Sequence, residues 1–127
     1  MESFDFELLA SALRADTRDL GTFVEVLASK LEGALPGRTE VERRGGGLLS
    51  RQRKVRRLTV SLGDVRYVLS NEGGNVQTAC AKVVRGIVLK SEPVPLDEWI
   101  DGLSRDLAEE ARGSEQARLA LERLLHG

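Results

Sequence analysis

Seven cations and no carboxylate lie between positions 43 and 57: Arg43, Arg44, Arg51, Arg53, Lys54, Arg56 and Arg57, set around Gly45-Gly46-Gly47. Cations at that density create a local field that attracts phosphate, anionic lipid or an acidic protein, without choosing among them. Glycines beside cations invite comparison with a phosphate-cradling loop, yet such loops need a Gly-Lys-Ser/Thr ending or a G-x-G-x-x-G that opens a helix. Here the glycines run into Leu48-Leu49-Ser50-Arg51, so a nucleotide site is set aside. Two uses of the segment remain. As a hairpin tip it holds its arginines in water. As a binding arm it meets nucleic-acid phosphates, with log K falling against log salt by a slope of about −6 if all seven engage. No aromatic residue lies between Arg43 and Arg57 to stack on a base, and that weighs against the arm. Leu48 and Leu49 offer a small apolar pair to an anionic membrane surface, but packing on a helix or in a dimer interface is the commoner use.

Catalysis has little to work with. The only histidine, His126, is the penultimate residue, which argues against Ser-His-Asp and Cys-His arrangements. The only cysteine, Cys80, sits between Ala79 and Ala81 in a β-prone run and reads as a small thiol of the core or sheet face. Metal-ligand spacing of Cys and His is absent, so neither a metal nor another cofactor is expected. Asp97, Asp101, Glu109 and Glu110 read as solvated helix faces. No catalytic residue is assigned, and a non-enzymatic role is expected. Trp99, in helical spacing with Leu96 and Leu103, reads as core, with a partner-binding anchor as its second use.

A chain of 127 residues, 41% of them apolar, is long enough for one domain with a core of its own. A lone cysteine gives no disulfide framework, the first residues are acidic where a signal peptide is basic, and no apolar run approaches the roughly 18 residues of a membrane span. A cytoplasmic location is expected, and membrane association is not. The formal net charge is only −1, but it is sorted along the chain: positions 1–35 carry seven acids and three bases, 36–90 four and twelve, and 91–127 nine and four.

The elements follow that sorting. Leu9, Leu13, Leu20, Val24, Leu27, Leu31 and Leu35 mark a helical segment 1–35, either one long helix with a weak point at Gly21 or two helices that meet there, with a capping-box pattern at Thr22–Glu25. Pro36-Gly37 ends it. From 38 to 90 the period is two. Thr39–Glu42 is a weak strand before the basic glycine loop 43–57, Leu58, Val60 and Leu62 alternate with polar residues, and Val65, Tyr67 and Leu69 continue beyond a Gly63-Asp64 turn. Asn71-Glu72-Gly73-Gly74 makes the next turn, and Val76–Leu89 reads as a long strand run bent or bulged at Gly86. Pro93-Val94-Pro95 closes the sheet. Leu96, Trp99, Ile100, Leu103 and Leu107 form an amphipathic helix, and Ser114 caps a last one through Ala117, Leu121, Leu124 and Leu125, so that 95–126 is helical.

The prediction is a single α+β domain over 1–127: an N-terminal helical segment, a four- to five-stranded antiparallel meander, and two C-terminal helices packed on one face of the sheet. This order of elements is similar to that of type III secretion chaperones and YbjN-like adaptor proteins. The resemblance implies a non-catalytic, homodimeric protein that holds a protein partner. Nucleic-acid binding through 43–57 is the alternative, and anionic-membrane binding by the same loop a further one.

Overall fold

The computed structural model describes residue 10, residues 19–44 and 54–113, and the single positions 115, 118, 119 and 122. Helix α1 (Leu20–Ala34) leads into five strands: β1 (Thr39–Arg44), β2 (Lys54–Leu62), β3 (Val65–Glu72), β4 (Asn75–Val84) and β5 (Ile87–Pro93). Helix α2 (Leu96–Ala111) follows. Each strand pairs antiparallel with its sequence neighbour, giving one meander in the order β1-β2-β3-β4-β5. Two-residue turns enforce the order from β2 to β5, because such a connection can only return the chain beside the strand it has just left.

Alternation decides which face is covered. Leu58, Val60 and Leu62 on β2 stand beside Tyr67 and Leu69 on β3, all at 3% exposure or less. Against them lie Val24, Leu27 and Leu31 of α1 and Trp99, Ile100, Leu103 and Leu107 of α2, so both helices share one face of the sheet and one core. Ala10 also joins that core. A bulge between Glu42 and Arg43 sets Arg56 outside the β1–β2 register, where Glu42 pairs with Arg57 and Arg43 with Val55. The extra residue turns Val55 to the covered face in spite of its odd spacing from Leu58, and leaves Arg56 and Arg57 both pointing to solvent. Gly102 lets α2 come close, since a Cβ there would lie 3.1 Å from Tyr67 Oη.

Three expectations change. The sheet bears one C-terminal helix, not two: among the described residues only α1 and α2 are delimited as helices. Five strands at about 4.8 Å spacing are roughly as wide as two helices packed at about 10 Å, so α1 and α2 already fill the face. Of the proposed last helix, Ser114, Ala117, Leu121, Leu124 and Leu125 lie outside the described residues, and Leu119 is 43% exposed, not packed on the sheet. Next, Val76–Leu89 is two strands. Arg85 and Gly86 both take positive φ, 52° and 81°, the backbone of a two-residue hairpin turn, and the bulge falls instead near Ala81–Val83. Strand β5 also runs on to Pro93, past position 90.

The third change concerns the start of α1. Asp19 caps it in extended conformation, accepting the Thr22 N–H at 3.2 Å, so Thr22 is the capped residue and Gly21 lies in the first turn. That hydrogen bond holds the Asp19 carboxyl below its ordinary range. Glu25 reaches across to the sheet, where its Oε2 accepts the Val55 N–H at 2.7 Å. Glu25→Ala leaves that donor at a nearly buried residue unpaired and is expected to cost about 1–3 kcal/mol in urea unfolding, whereas Glu25→Gln keeps the acceptor and most of the stability.

Candidate functional site

The basic segment begins on β1 and ends on β2, and three of its described cations, Arg43, Arg56 and Arg57, are paired with carboxylates. Arg43 donates two hydrogen bonds to Glu32 of α1, at 3.0 and 3.4 Å. This fork holds the Glu32 carboxyl below its ordinary range and raises the Arg43 guanidinium further. Arg56 pairs with Glu72 at 3.3 Å and Arg57 with Glu42 at 3.8 Å. Lys54 is exposed and lines a cleft of about 520 Å³ together with Arg56, but Asp19 and Glu25 line it as well. Arg51, Arg53, Leu48 and Leu49, and the side chain of Arg44, lie outside the described residues. Among the described residues, the carboxylate that forms an ion pair with the segment from a helix is Glu32, while Glu42 and Glu72 belong to the sheet itself. Just before β1, Arg38 approaches Glu110 of α2 at 3.1 Å. Exposed pairs of this kind contribute about 0–1 kcal/mol each, so their chief effect is to occupy the cations.

A second group of titratable side chains lies under α2. The Tyr67 hydroxyl donates to Asp106, and the Tyr67 ring meets Trp99 edge-on at 6.1 Å between centroids. Burial, reinforced by that hydrogen bond, pushes the Tyr67 hydroxyl far above its ordinary value. Cys80, opposite Tyr67 across the β3–β4 pair, is shifted upward too, by burial and by Asp106. A raised thiol is protonated at neutral pH and a poor nucleophile, the reverse of what an activated cysteine requires. Trp99 is fully buried and joins the core. Among the described residues no group of three His, Cys, Asp or Glu side chains is placed to hold a metal, and no helix is long and apolar enough to cross a membrane.

The other face of the sheet carries no helix among the described residues. Thr59, Ser61, Arg66, Val68, Ser70, Ala79 and Ala81 stand there by alternation. At its β5 side opens a cleft of about 790 Å³, lined by Val68, Ser70, Gln77, Ala79, Ser91 and Pro93, and by the connection Val94–Leu96 into α2. None of its lining residues is an acid, a base, a histidine or a cysteine. Strand β5 is exposed at every position and pairs only with β4 among the described residues. The Val94 N–H turns inward to Thr78 O, so alternation turns the peptide groups of Ser91 and Pro93 outward along the cleft. Pro93 has no N–H to leave unpaired there, as suits an edge.

No protein-family model, curated protein or solved structure matches this chain. Sequence reasoning singled out the basic loop and missed the cleft, because Val68, Ala79 and Pro93 come from three strands and carry no charge. The available signal was the edge strand: Ile87-Val88-Leu89 reads as core, yet Lys90, Ser91, Glu92 and Pro93 after it are edge residues.

Proposed function

We propose that the protein is a non-catalytic interaction module that holds an extended segment of a protein partner in the cleft beside β5. The observation that supports it is the pairing of a concave, non-titrating surface with outward-facing main chain. Peptide groups along Ser91 and Pro93 can hydrogen-bond an added strand, whose side chains on the cleft side stand next to Pro93 and Leu96, with Ala79 and Val68 flooring the cleft further in. Acid–base chemistry, or activation of the Ser70, Thr78 or Ser91 hydroxyl, would need a titrating base that the cleft lining lacks. Nucleic-acid binding through 43–57 is not adopted, because Arg43, Arg56 and Arg57 already hold carboxylates.

A peptide-display selection against the immobilised chain is expected to enrich extended sequences with alternating apolar residues. Amide shifts upon titration should concentrate at Val68, Ala79 and Ser91. Ala79→Arg fills the floor of the cleft and is expected to weaken binding at least about tenfold. Failure to enrich any peptide, or binders indifferent to Ala79→Arg, would remove the cleft from consideration.

A further inference from the structure

The β4–β5 hairpin is longer than the sheet that supports it. Strand β3 begins at Val65, opposite Lys82, and the last support is the Val83 N–H bond to Asp64 O at 2.7 Å. Beyond it, Val84 to Ile87 form a two-stranded finger. Large aliphatic side chains are exposed along it and at its base, Val84 at 45%, Ile87 at 65%, Val88 at 41% and Leu89 at 48%. Alternation puts Val84 and Ile87 on the helix side and Val88 on the other. A projecting apolar finger of this kind is a feature that soluble domains normally cover.

Charge indicates what covers it. From Gly73 to Ser91 the chain has no acid and three bases, Lys82, Arg85 and Lys90. At the foot of the finger, on the helix side, a cleft of about 470 Å³ is lined by Asp64, Asp106, Glu109 and Glu110, with Lys82 as its one base. Some of these acids are already occupied: Asp106 by Tyr67, Glu110 by Arg38 and Glu109 by Arg112. Asp64 and Arg85 have no ion-pair partner among the described residues, and both stand at this end of the sheet. One copy therefore presents a cationic apolar finger directly beside an acidic recess. Such a patch is complementary to itself, which is the requirement of a two-fold interface.

We propose that the finger is the homodimer interface: Ile87 and Val84 pack against their counterparts in a second copy, and Arg85 of each copy pairs with Asp64 of the other. An anionic bilayer fits less well, because the acids of the recess would face it together with the finger. A partner bound in the Ser91–Pro93 cleft does not compete, since that cleft lies nearer the other end of β4, roughly 13 Å or more from the finger. The inference does not rest on the cleft reading.

The test is light scattering coupled to size exclusion, with sedimentation at concentrations up to about 0.1 mM. The wild-type chain should be a dimer, and Ile87→Asp should weaken it at least about tenfold. Arg85→Glu and Asp64→Arg should each weaken it about tenfold, while the double variant restores the dimer to within a few-fold, the signature of a reciprocal pair. All four substituted chains should keep the wild-type far-ultraviolet dichroism, because all three positions are exposed. A monomer at 0.1 mM overturns the proposal, as does a dimer indifferent to Ile87→Asp and Arg85→Glu. A monomer that sediments with phosphatidylglycerol vesicles through Ile87 also overturns it, assigning the finger to lipid. Ala79→Arg should leave the dimer unchanged, so loss of the cleft reading and loss of this one are separable.

Discussion

Trp99→Ala is expected to cost about 3–5 kcal/mol and to leave the chain partly unfolded at room temperature. Trp99 is the largest fully buried side chain, on the face of α2 that meets the sheet, and its ring stands edge-on to Tyr67 at an interplanar angle of 84°. Removing it takes away apolar contact with both layers and opens a cavity that strands fixed by hydrogen bonds on either side cannot close. The indole N–H contributes little, since it has no hydrogen-bond partner among the described residues. Trp99→Phe should therefore keep most of the stability and separate the loss of volume from the loss of a polar group. Urea unfolding followed by far-ultraviolet dichroism measures both. A cost for alanine under about 1 kcal/mol would mean that Trp99 does not hold α2 to the sheet.

Alkaline pH is expected to have the next largest effect. Tyr67 keeps its proton in the folded state well above its ordinary value of 10.0, because burial penalises the phenolate and Asp106 accepts the hydroxyl proton. In the unfolded chain the same group ionises near 10, so above that pH the unfolded state binds fewer protons. Stability contributed by Tyr67 is fully present below about pH 10 and falls above it, by up to about 1.4 kcal/mol per pH unit. Cys80 adds to the fall from its own ordinary value of 9.0, since its folded-state value is raised as well. Tyr67 is the only tyrosine, so tyrosinate absorbance reports this residue alone. The tyrosinate band should appear together with unfolding, not before it. Tyr67→Phe should flatten the alkaline decline, and a gradual tyrosinate titration near pH 10 in the folded protein would contradict the burial argument.

These two predictions rest on parts of the molecule that differ in how plainly the sequence shows them. Trp99 was legible as core because Leu96, Ile100, Leu103 and Leu107 share its helical stripe, and a stripe has one dry side whatever it packs against. The Tyr67–Asp106 contact was not legible. It joins residues 39 positions apart, and only the docking of α2, eased by Gly102, brings the hydroxyl to the carboxylate. The split of Val76–Leu89 into two strands hinged on Arg85, a residue type with no special liking for positive φ, so Gly86 alone read as a bulge.

The basic segment shows the same division. Its density of charge was evident at once, as were the alternation of Leu58, Val60 and Leu62 and the turns at Gly63 and Gly73-Gly74, since these depend on neighbours in sequence. Charge pairing does not. Glu32 reaches Arg43 from α1, Glu72 reaches Arg56 from the end of β3, and Glu42 reaches Arg57 across the β1–β2 register. Sequence by itself determined an α+β chain with an antiparallel meander, because periodicity and turn chemistry are local. Tertiary structure decided which sheet face the helices cover, which cations are neutralised, and that the β4–β5 hairpin overhangs its sheet, because register and docking bring together residues that no local pattern connects.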